Sequence, residues 1–293
     1  MVQCEYCHYS GYRIIYQYKT WKIVKCRRCG CRYTLPKISK DFDLNNIYNS
    51  DYYNQSFFLE EVDYLPAAVE IEKYCSKKGR LLEIGCWKGD LLVFMRQRGW
   101  DVQGVEVSEF AHQYAVNQNK VPVFLGHLED YPADKKFDVI CLYQAFEHLY
   151  NPVYILQRCY ELLNKGGILL IEVPNYNAVD IRFSRALKDI TFTVEGGHLF
   201  FYTPAFLKKQ LKKNGFKVLE VDRYYLNAIV NYYNKRKSGK NNKSEPTIVN
   251  GGEIENATNS FQLKRQISWK GKLMKKISRF LPGWKFTIIA RKT

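Results

Sequence analysis

The run Leu81-Leu82-Glu83-Ile84-Gly85-Cys86-Trp87-Lys88-Gly89-Asp90 constrains the fold more than any other stretch of this chain. An apolar strand closes on an acid, turns through two glycines and enters a helix. In a doubly wound sheet such a turn lies at the carboxyl edge of the strands. Backbone N–H groups at the helix start can there receive a nucleotide-like cofactor. A second apolar run, Val102-Gln103-Gly104-Val105-Glu106, also closes on an acid. It follows about 20 residues later, the spacing at which a carboxylate meets a ribose diol. Taken singly, Glu83 reads as a helix-dipole partner and Glu106 as a surface acid; together they read as a cofactor site.

From Gly79 onward strand and helix patterns alternate, which implies a parallel sheet flanked by helices. Strands are expected at 80–85, 101–107, 121–125, 137–143 and 167–173, and helices near 89–98, 109–118 and 152–164. Gly166-Gly167 is expected to end the third helix and lead into Ile168-Leu169-Leu170-Ile171-Glu172-Val173. Thr203-Pro204 marks another helix start, a capping hydroxyl followed by proline at the first helical position, and Gly215 its end. A strand follows at 216–221, and Trp284-Lys285-Phe286-Thr287-Ile288-Ile289-Ala290 reads as the last one.

The N-terminus reads as a separate module. Cys4-x2-Cys7 and Cys26-x2-Cys29 are two pairs of thiols, each spaced to present both sulfurs from one tight turn to a tetrahedral ion. So short a segment cannot build a core alone, and a structural Zn2+ on Cys4, Cys7, Cys26 and Cys29 would supply the missing stability. His8 and Cys31 lie close enough in sequence to compete as ligands. The expected organisation is a zinc-ribbon-like module at 1–40, an aromatic-rich helical arm at 41–78 and the Rossmann-like domain at 79–230. A mobile polar loop at 231–260 and a basic amphipathic helix with the final strand at 261–293 complete it. Helical character in the arm is expected from Glu60 to Lys78; its rings, among them Phe42, Tyr53, Phe57 and Tyr64, dock the arm or line a pocket.

Charge is unevenly placed. The net +16 arises from nine Lys/Arg against Glu5 alone in residues 1–40, and from fifteen Lys/Arg against three Glu in 227–293; the middle is mildly acidic. Basic ends suit an anionic surface. In the last helix, Leu263, Ile267, Met274, Ile277 and Leu281 recur at helical spacing among Lys and Arg, which reads as peripheral contact with an anionic membrane through 261–281. No apolar run is long enough to span a bilayer and no secretory-type stretch opens the chain. With nine cysteines this points to a reducing compartment. The expected location is the cytoplasm, with a peripheral place at the inner membrane face.

The ordered segments Leu81–Cys86, Gly104–Ser108, Phe137-Asp138-Val139-Ile140, Phe146-Glu147-His148-Leu149-Tyr150-Asn151-Pro152, Val173-Pro174-Asn175 and Gly197-His198-Leu199-Phe200-Phe201-Tyr202-Thr203-Pro204 resemble class I S-adenosylmethionine (SAM)-dependent methyltransferases. The resemblance is to the bacterial branch that modifies sugars, surface polysaccharides and other small metabolites, some members of which carry a cysteine-rich zinc module. It implies a Rossmann-like, doubly wound seven-stranded sheet with an antiparallel last strand. It also implies that Glu83, Gly85, Cys86 and Gly89 wrap the methionine end of SAM, that Glu106 takes the ribose hydroxyls and that Val107 lies beside the adenine. Leu128 and Glu129, in the turn Gly126–Glu129, would meet the adenine edge, and Tyr143 and Gln144 would lie near the transferred methyl. The family turn usually has a small residue where this chain has Trp87, so the indole must point away from the cofactor or lie over it.

Transfer to a hydroxyl needs a base, because a neutral alcohol is a poor nucleophile. His148 is the first candidate, Glu147 its orienting partner or substitute, and His198 the second histidine, in a loop that could fold over the pocket. A structural hydrogen bond is the plainer reading of each. The expected function is methylation, at oxygen or carbon, of a sugar, glycan or related small-molecule or lipid-linked acceptor. The alternatives are a ribosomal or other RNA methyltransferase, which the basic ends suit, and an inactive zinc-bearing scaffold. Against RNA amines, the segment after the fourth strand is Tyr143-Gln144-Ala145-Phe146 and lacks a Pro-Pro-aromatic signature.

Overall fold

The computed structural model describes residues 2–18, 21–37, 64–132, 134–177, 197–223 and 285–293. The aromatic stretch before Tyr64, the polar segment 231–260, the basic segment 261–281 and Trp284 fall outside these residues. Among the described residues no helix is long and apolar enough to cross a membrane.

Two sheets form. The small one, β1 (Tyr12–Tyr18), β2 (Trp21–Cys26) and β3 (Arg32–Leu35), is an antiparallel meander. After α1 (Leu65–Lys73) the chain alternates: β4 (Arg80–Ile84), α2 (Asp90–Gln97), β5 (Asp101–Glu106), α3 (Glu109–Asn117), β6 (Val123–Leu125), β7 (Phe137–Tyr143), α4 (Pro152–Leu162), β8 (Leu163–Pro174), α5 (Pro204–Lys213), β9 (Phe216–Arg223) and β10 (Lys285–Lys292). The last seven strands form one sheet in the order β6–β5–β4–β7–β8–β10–β9. β4 to β8 pair in parallel, while β10 runs antiparallel to both β8 and β9. The expected fold class is therefore present.

Helices cover both faces, so the central strands are apolar throughout rather than alternating with polar residues. Successive residues enter opposite layers. Leu82, Ile140, Leu169, Ile171 and Ile288 pack in one with Phe146, Leu156 and Tyr202. Leu81, Val139, Ile168, Leu170 and Ile289 pack in the other with Ile71, Leu92 and Met95.

Several boundaries differ from the sequence reading, among them the end of α1, which stops at Lys73 rather than Lys78. α4 ends at Leu162, and β8 begins at once instead of after Gly166-Gly167, because Leu163 already pairs with Phe137. Gly166, at φ 77°, lies within the strand and does not end the helix. β6 starts at Val123; Pro122 just before it has no N–H, and its carbonyl accepts from Gly104 instead. β3 carries no strong sequence signal, being only four residues long, and exists because it pairs with β2 and with the distant residue Phe200. The α5 reading holds: the Thr203 hydroxyl accepts from Phe206 N–H and Gly215 closes the helix at φ 84°.

Candidate active site

β4 leads the chain to one side of the sheet and β7 to the other, so a crevice opens beyond their carboxyl ends. Glu83, Glu106, Tyr143 and Glu147 all lie at that edge. Gly85, at φ 69°, lets the turn after β4 approach β7 closely; a Cβ there would lie 2.8 Å from that of Ala145. Gly85 and Cys86 donate to the Val105 carbonyl, locking the turn onto β5. The Cys86 side chain turns away from the crevice into the core, where a Cβ on Gly104 would stand 2.5 Å from its sulfur. Cys86 therefore points no thiol at whatever occupies the turn, and its backbone N–H and carbonyl are held by Val105 and Gly89.

Trp87 adopts φ 52°, in the left-handed region that bulky residues rarely take. Its backbone N–H donates to Glu106 Oε2 at 2.8 Å, and Lys88 Nζ lies 5.0 Å from its ring centre. Glu106 Oε1 accepts from Val107 and Ser108 N–H, both at 2.9 Å. Burial raises the Glu106 carboxyl, opposed by these three amides. Glu83 is buried, and its Oε2 has no hydrogen-bond partner. Burial, then the charges of Asp90 and Glu106, push the Glu83 carboxyl well up. Three carboxylates around one turn, one with an oxygen in want of a donor, suit a ligand carrying positive charge and N–H or O–H groups. The sequence reading missed Asp90, whose carboxylate is held by Asn119 Nδ2 at 3.0 Å; its one signal was its position at the helix start.

Tyr64, just before α1, covers this edge, its ring 6.0 Å from that of Tyr143 and 6.5 Å from Phe94. Leu128 is buried and Glu129 partly so in a short turn after Gly126, whose N–H donates to the Glu106 carbonyl. Gln144 sits at φ 54°; its amide donates to Glu172 Oε1 at 3.1 Å. Glu172, fully buried, also pairs with Lys285 Nζ at 2.7 Å, so the Gln144 amide is engaged in a buried network next to Tyr143.

Glu147, His148 and His198 come together although His198 lies far along the chain. Glu147 is buried, and neither carboxylate oxygen has a hydrogen-bond partner. Its Oε1 is 3.9 Å from Nε2 of His148 and 3.9 Å from Nε2 of His198, and the two imidazole centres are 4.8 Å apart. Burial raises the Glu147 carboxyl to about 8. Burial, reinforced by His198, lowers His148 to about 3, with 21% of its side chain still meeting water. Near neutral pH this leaves a protonated acid beside a neutral imidazole.

These shifts predict a stability profile. Glu147 is raised above its ordinary 4.5, so its contribution is complete below that value and is lost as pH rises through 8. His148 is depressed from 6.5, so its contribution is complete above that value and is lost as pH falls toward 3. The two slopes oppose one another between 4.5 and 6.5, and above that range only the loss from Glu147 remains. Urea unfolding should therefore show wild type losing up to about 1.4 kcal/mol per pH unit from this group between pH 6.5 and 8. Glu147→Gln should lack that loss; parallel profiles for the two proteins would refute the assignment.

The second cluster lies in the N-terminal sheet. The sulfurs of Cys4, Cys7, Cys26 and Cys29 converge, with Cys4 to Cys29 at 3.5 Å and Cys7 to Cys26 at 3.6 Å. A tetrahedral ion with metal–sulfur bonds of about 2.3 Å places its ligands about 3.8 Å apart. The two turns match: Cys4 N–H donates to the Tyr9 carbonyl and Cys26 N–H to that of Cys31, and His8 and Gly30 both take positive φ. His8 and Cys31 are not in the converging set. Among the described residues only one other group of three or more has ion-holding spacing: Glu147, His148 and His198, within 4.8 Å of one another.

A family model described as the methyltransferase domain matches residues 51–221. The chain is a class I SAM-dependent methyltransferase. Its crevice fits that cofactor, with acids for a cationic sulfonium and ammonium and a glycine turn for close backbone approach. The ubiquinone biosynthesis O-methyltransferase of Azoarcus sp. (strain BH72) is 25% identical over 177 residues, covering 56% of this chain and 75% of that protein. A SAM-dependent methyltransferase from Archaeoglobus fulgidus superposes with a TM-score of 0.52 at 20% identity, covering 78% of this chain and 92% of the other. Haemonchus contortus phosphoethanolamine N-methyltransferase 2 gives 0.57 at 16% identity, over 89% of this chain and 61% of that one. At these identities the structural matches show the methyltransferase's fold.

Proposed function

We propose that the enzyme methylates a hydroxyl of a small-molecule, sugar or glycan acceptor, with the Glu147–His148–His198 cluster receiving the acceptor's proton. The observation that carries this reading is the buried Glu147 carboxylate without a hydrogen-bond partner, facing two imidazoles at the carboxyl end of β7. SAM, when bound, supplies a methyl already activated on a sulfonium, so the protein's share is alignment, exclusion of water and proton removal. Glu83, the Gly85–Gly89 turn and Glu106 would hold the cofactor, and Val107, Leu128 and Glu129 would border its adenine. Neutral His148 takes the hydroxyl proton; Glu147, protonated near neutral pH, passes its own proton to His198 on its other side as it ionises and so stabilises the His148 imidazolium. Both imidazoles then return their protons to water. Tyr143 and Tyr64 offer ring faces to the acceptor.

The O-methyltransferase relative supports oxygen as the methylated atom. The sugar or glycan class is the finer part of the proposal, and the four N-terminal thiols are proposed to hold a structural zinc. A second reading has its own observation: the same carboxylate and imidazoles have ion-holding spacing, and a divalent cation there would acidify the hydroxyl instead. The test is demethylated-cofactor release from SAM with panels of phenolic and sugar-nucleotide acceptors. Glu147→Gln and His148→Asn should each lower kcat by about 10²–10⁴ without changing SAM affinity. Activity within tenfold of wild type in both variants would sink the proposal. Loss of activity on EDTA treatment that leaves zinc on the cysteine turns, restored by a divalent cation other than zinc, would favour the cation reading. Methyl transfer to RNA but to none of the small acceptors would replace the acceptor class.

A further inference from the structure

Segment 198–202 carries His198 into the cluster, and contacts on both sides fix its course. Toward the crevice, the N–H groups of Leu199 and Phe200 both donate to the Glu147 carbonyl, at 2.9 and 3.1 Å. Toward the N-terminal module, the buried Thr34 hydroxyl donates to the His198 carbonyl at 2.9 Å, and Thr34 N–H donates to the Leu199 carbonyl at 3.0 Å. Phe201 N–H donates to the Arg32 carbonyl, and Tyr33 bridges Phe200. The segment is in effect a further edge strand of the cysteine-bearing sheet. The first cysteine turn adds a grip: Tyr6 OH lies 3.0 Å from Tyr202 OH, and the Tyr6 ring packs edge-on against Phe200 and Phe206.

We propose that the N-terminal cysteine module positions the proton-handling cluster, with Thr34 as the positioning residue that sets His198 against Glu147. A free-standing ribbon would leave β3 with solvent along its second edge; here that edge is occupied by the backbone of the residue next to the crevice. A segment paired through its backbone with the cysteine-bearing sheet moves with that sheet, so the geometry of His198 is tied to the integrity of the cysteine turns. Thr34 touches no reacting atom and acts only through the His198 carbonyl. The inference rests on His198 belonging to the cluster, as proposed above, but it is read without catalysis.

The experiment uses the full chain with ring-labelled histidines, His198 being assigned by its loss in His198→Gln. Thr34→Val removes the hydroxyl and keeps the shape; Thr34→Ser keeps the hydroxyl. The valine variant should move the His198 ring resonances and raise amide exchange at Leu199, Phe200 and Phe201 at least tenfold. The serine variant should match wild type, and SAM affinity should be unchanged in both. Tyr6→Phe, which removes only the contact with Tyr202, provides a second probe if the valine variant does not fold, and should raise exchange at Phe201 and Tyr202. His198 resonances and exchange rates at wild-type values in the folded variants would overturn the proposal. A shifted His198 ring combined with normal turnover of His198→Gln would instead leave the positioning intact and refute the catalytic reading of His198.

Discussion

Calorimetric titration of Glu106→Ala with SAM is expected to show binding weakened at least about a hundredfold, or lost. Two effects add. The carboxylate proposed to take the ribose hydroxyls disappears, and hydrogen bonds to a charged group contribute about 1.5–3 kcal/mol each. Three backbone N–H groups, those of Trp87, Val107 and Ser108, also lose their acceptor together. The Trp87 amide matters most, because that residue holds a left-handed conformation that Glu106 helps to impose. Glu106→Gln separates the effects: it keeps two lone pairs but removes the charge, and should fall between wild type and alanine. Equal SAM affinity in all three proteins would remove Glu106 from the cofactor site.

The second large effect is expected at the cysteine cluster. Purified protein should carry one zinc per chain, and Cys26→Ser should lose it. Structural zinc in small domains is worth roughly 10–16 kcal/mol of apparent binding energy, far more than a three-stranded sheet of this size gains by burial. Chelation or Cys26→Ser should therefore unravel β1–β3, read as complete amide exchange of Val24 and Tyr33, while the β4–β5–β7 core stays protected. Wild-type protein that contains no zinc and keeps those amides protected would show that the four thiols are only packed together.

Much of the fold was legible because its signals are local. The acid–glycine turn, the capping Thr203-Pro204 and the apolar strands all declare themselves within a few residues. The boundary between α4 and β8 did not, since a glycine pair resembles a helix stop and the pairing of Leu163 with Phe137 is a tertiary fact. The same holds for β3, whose four residues become a strand through their neighbours. In the site, motif order pointed to Glu83, Glu106, Glu147 and His148, which the fold brings to the carboxyl edge of the sheet. It could not reveal that Gln144 turns back to Glu172, or that a threonine in the N-terminal module grips the carbonyl of His198. Side-chain direction and long-range pairing depend on packing, which leaves little trace in spacing.

Gly104 has a consequence for the Cys86 thiol. SAM is an alkylating agent, and the residue at the centre of the turn proposed to wrap it is a cysteine. By having no side chain, Gly104 leaves room beneath the turn for the Cys86 sulfur to point into the sheet. There burial, with the charges of Glu106 and Glu83, pushes the thiol well above its ordinary range. A thiol is a competent nucleophile only as its thiolate. A strand glycine thus seats this thiol in the core in its neutral form, and a larger residue at 104 would press the sulfur back out of the sheet.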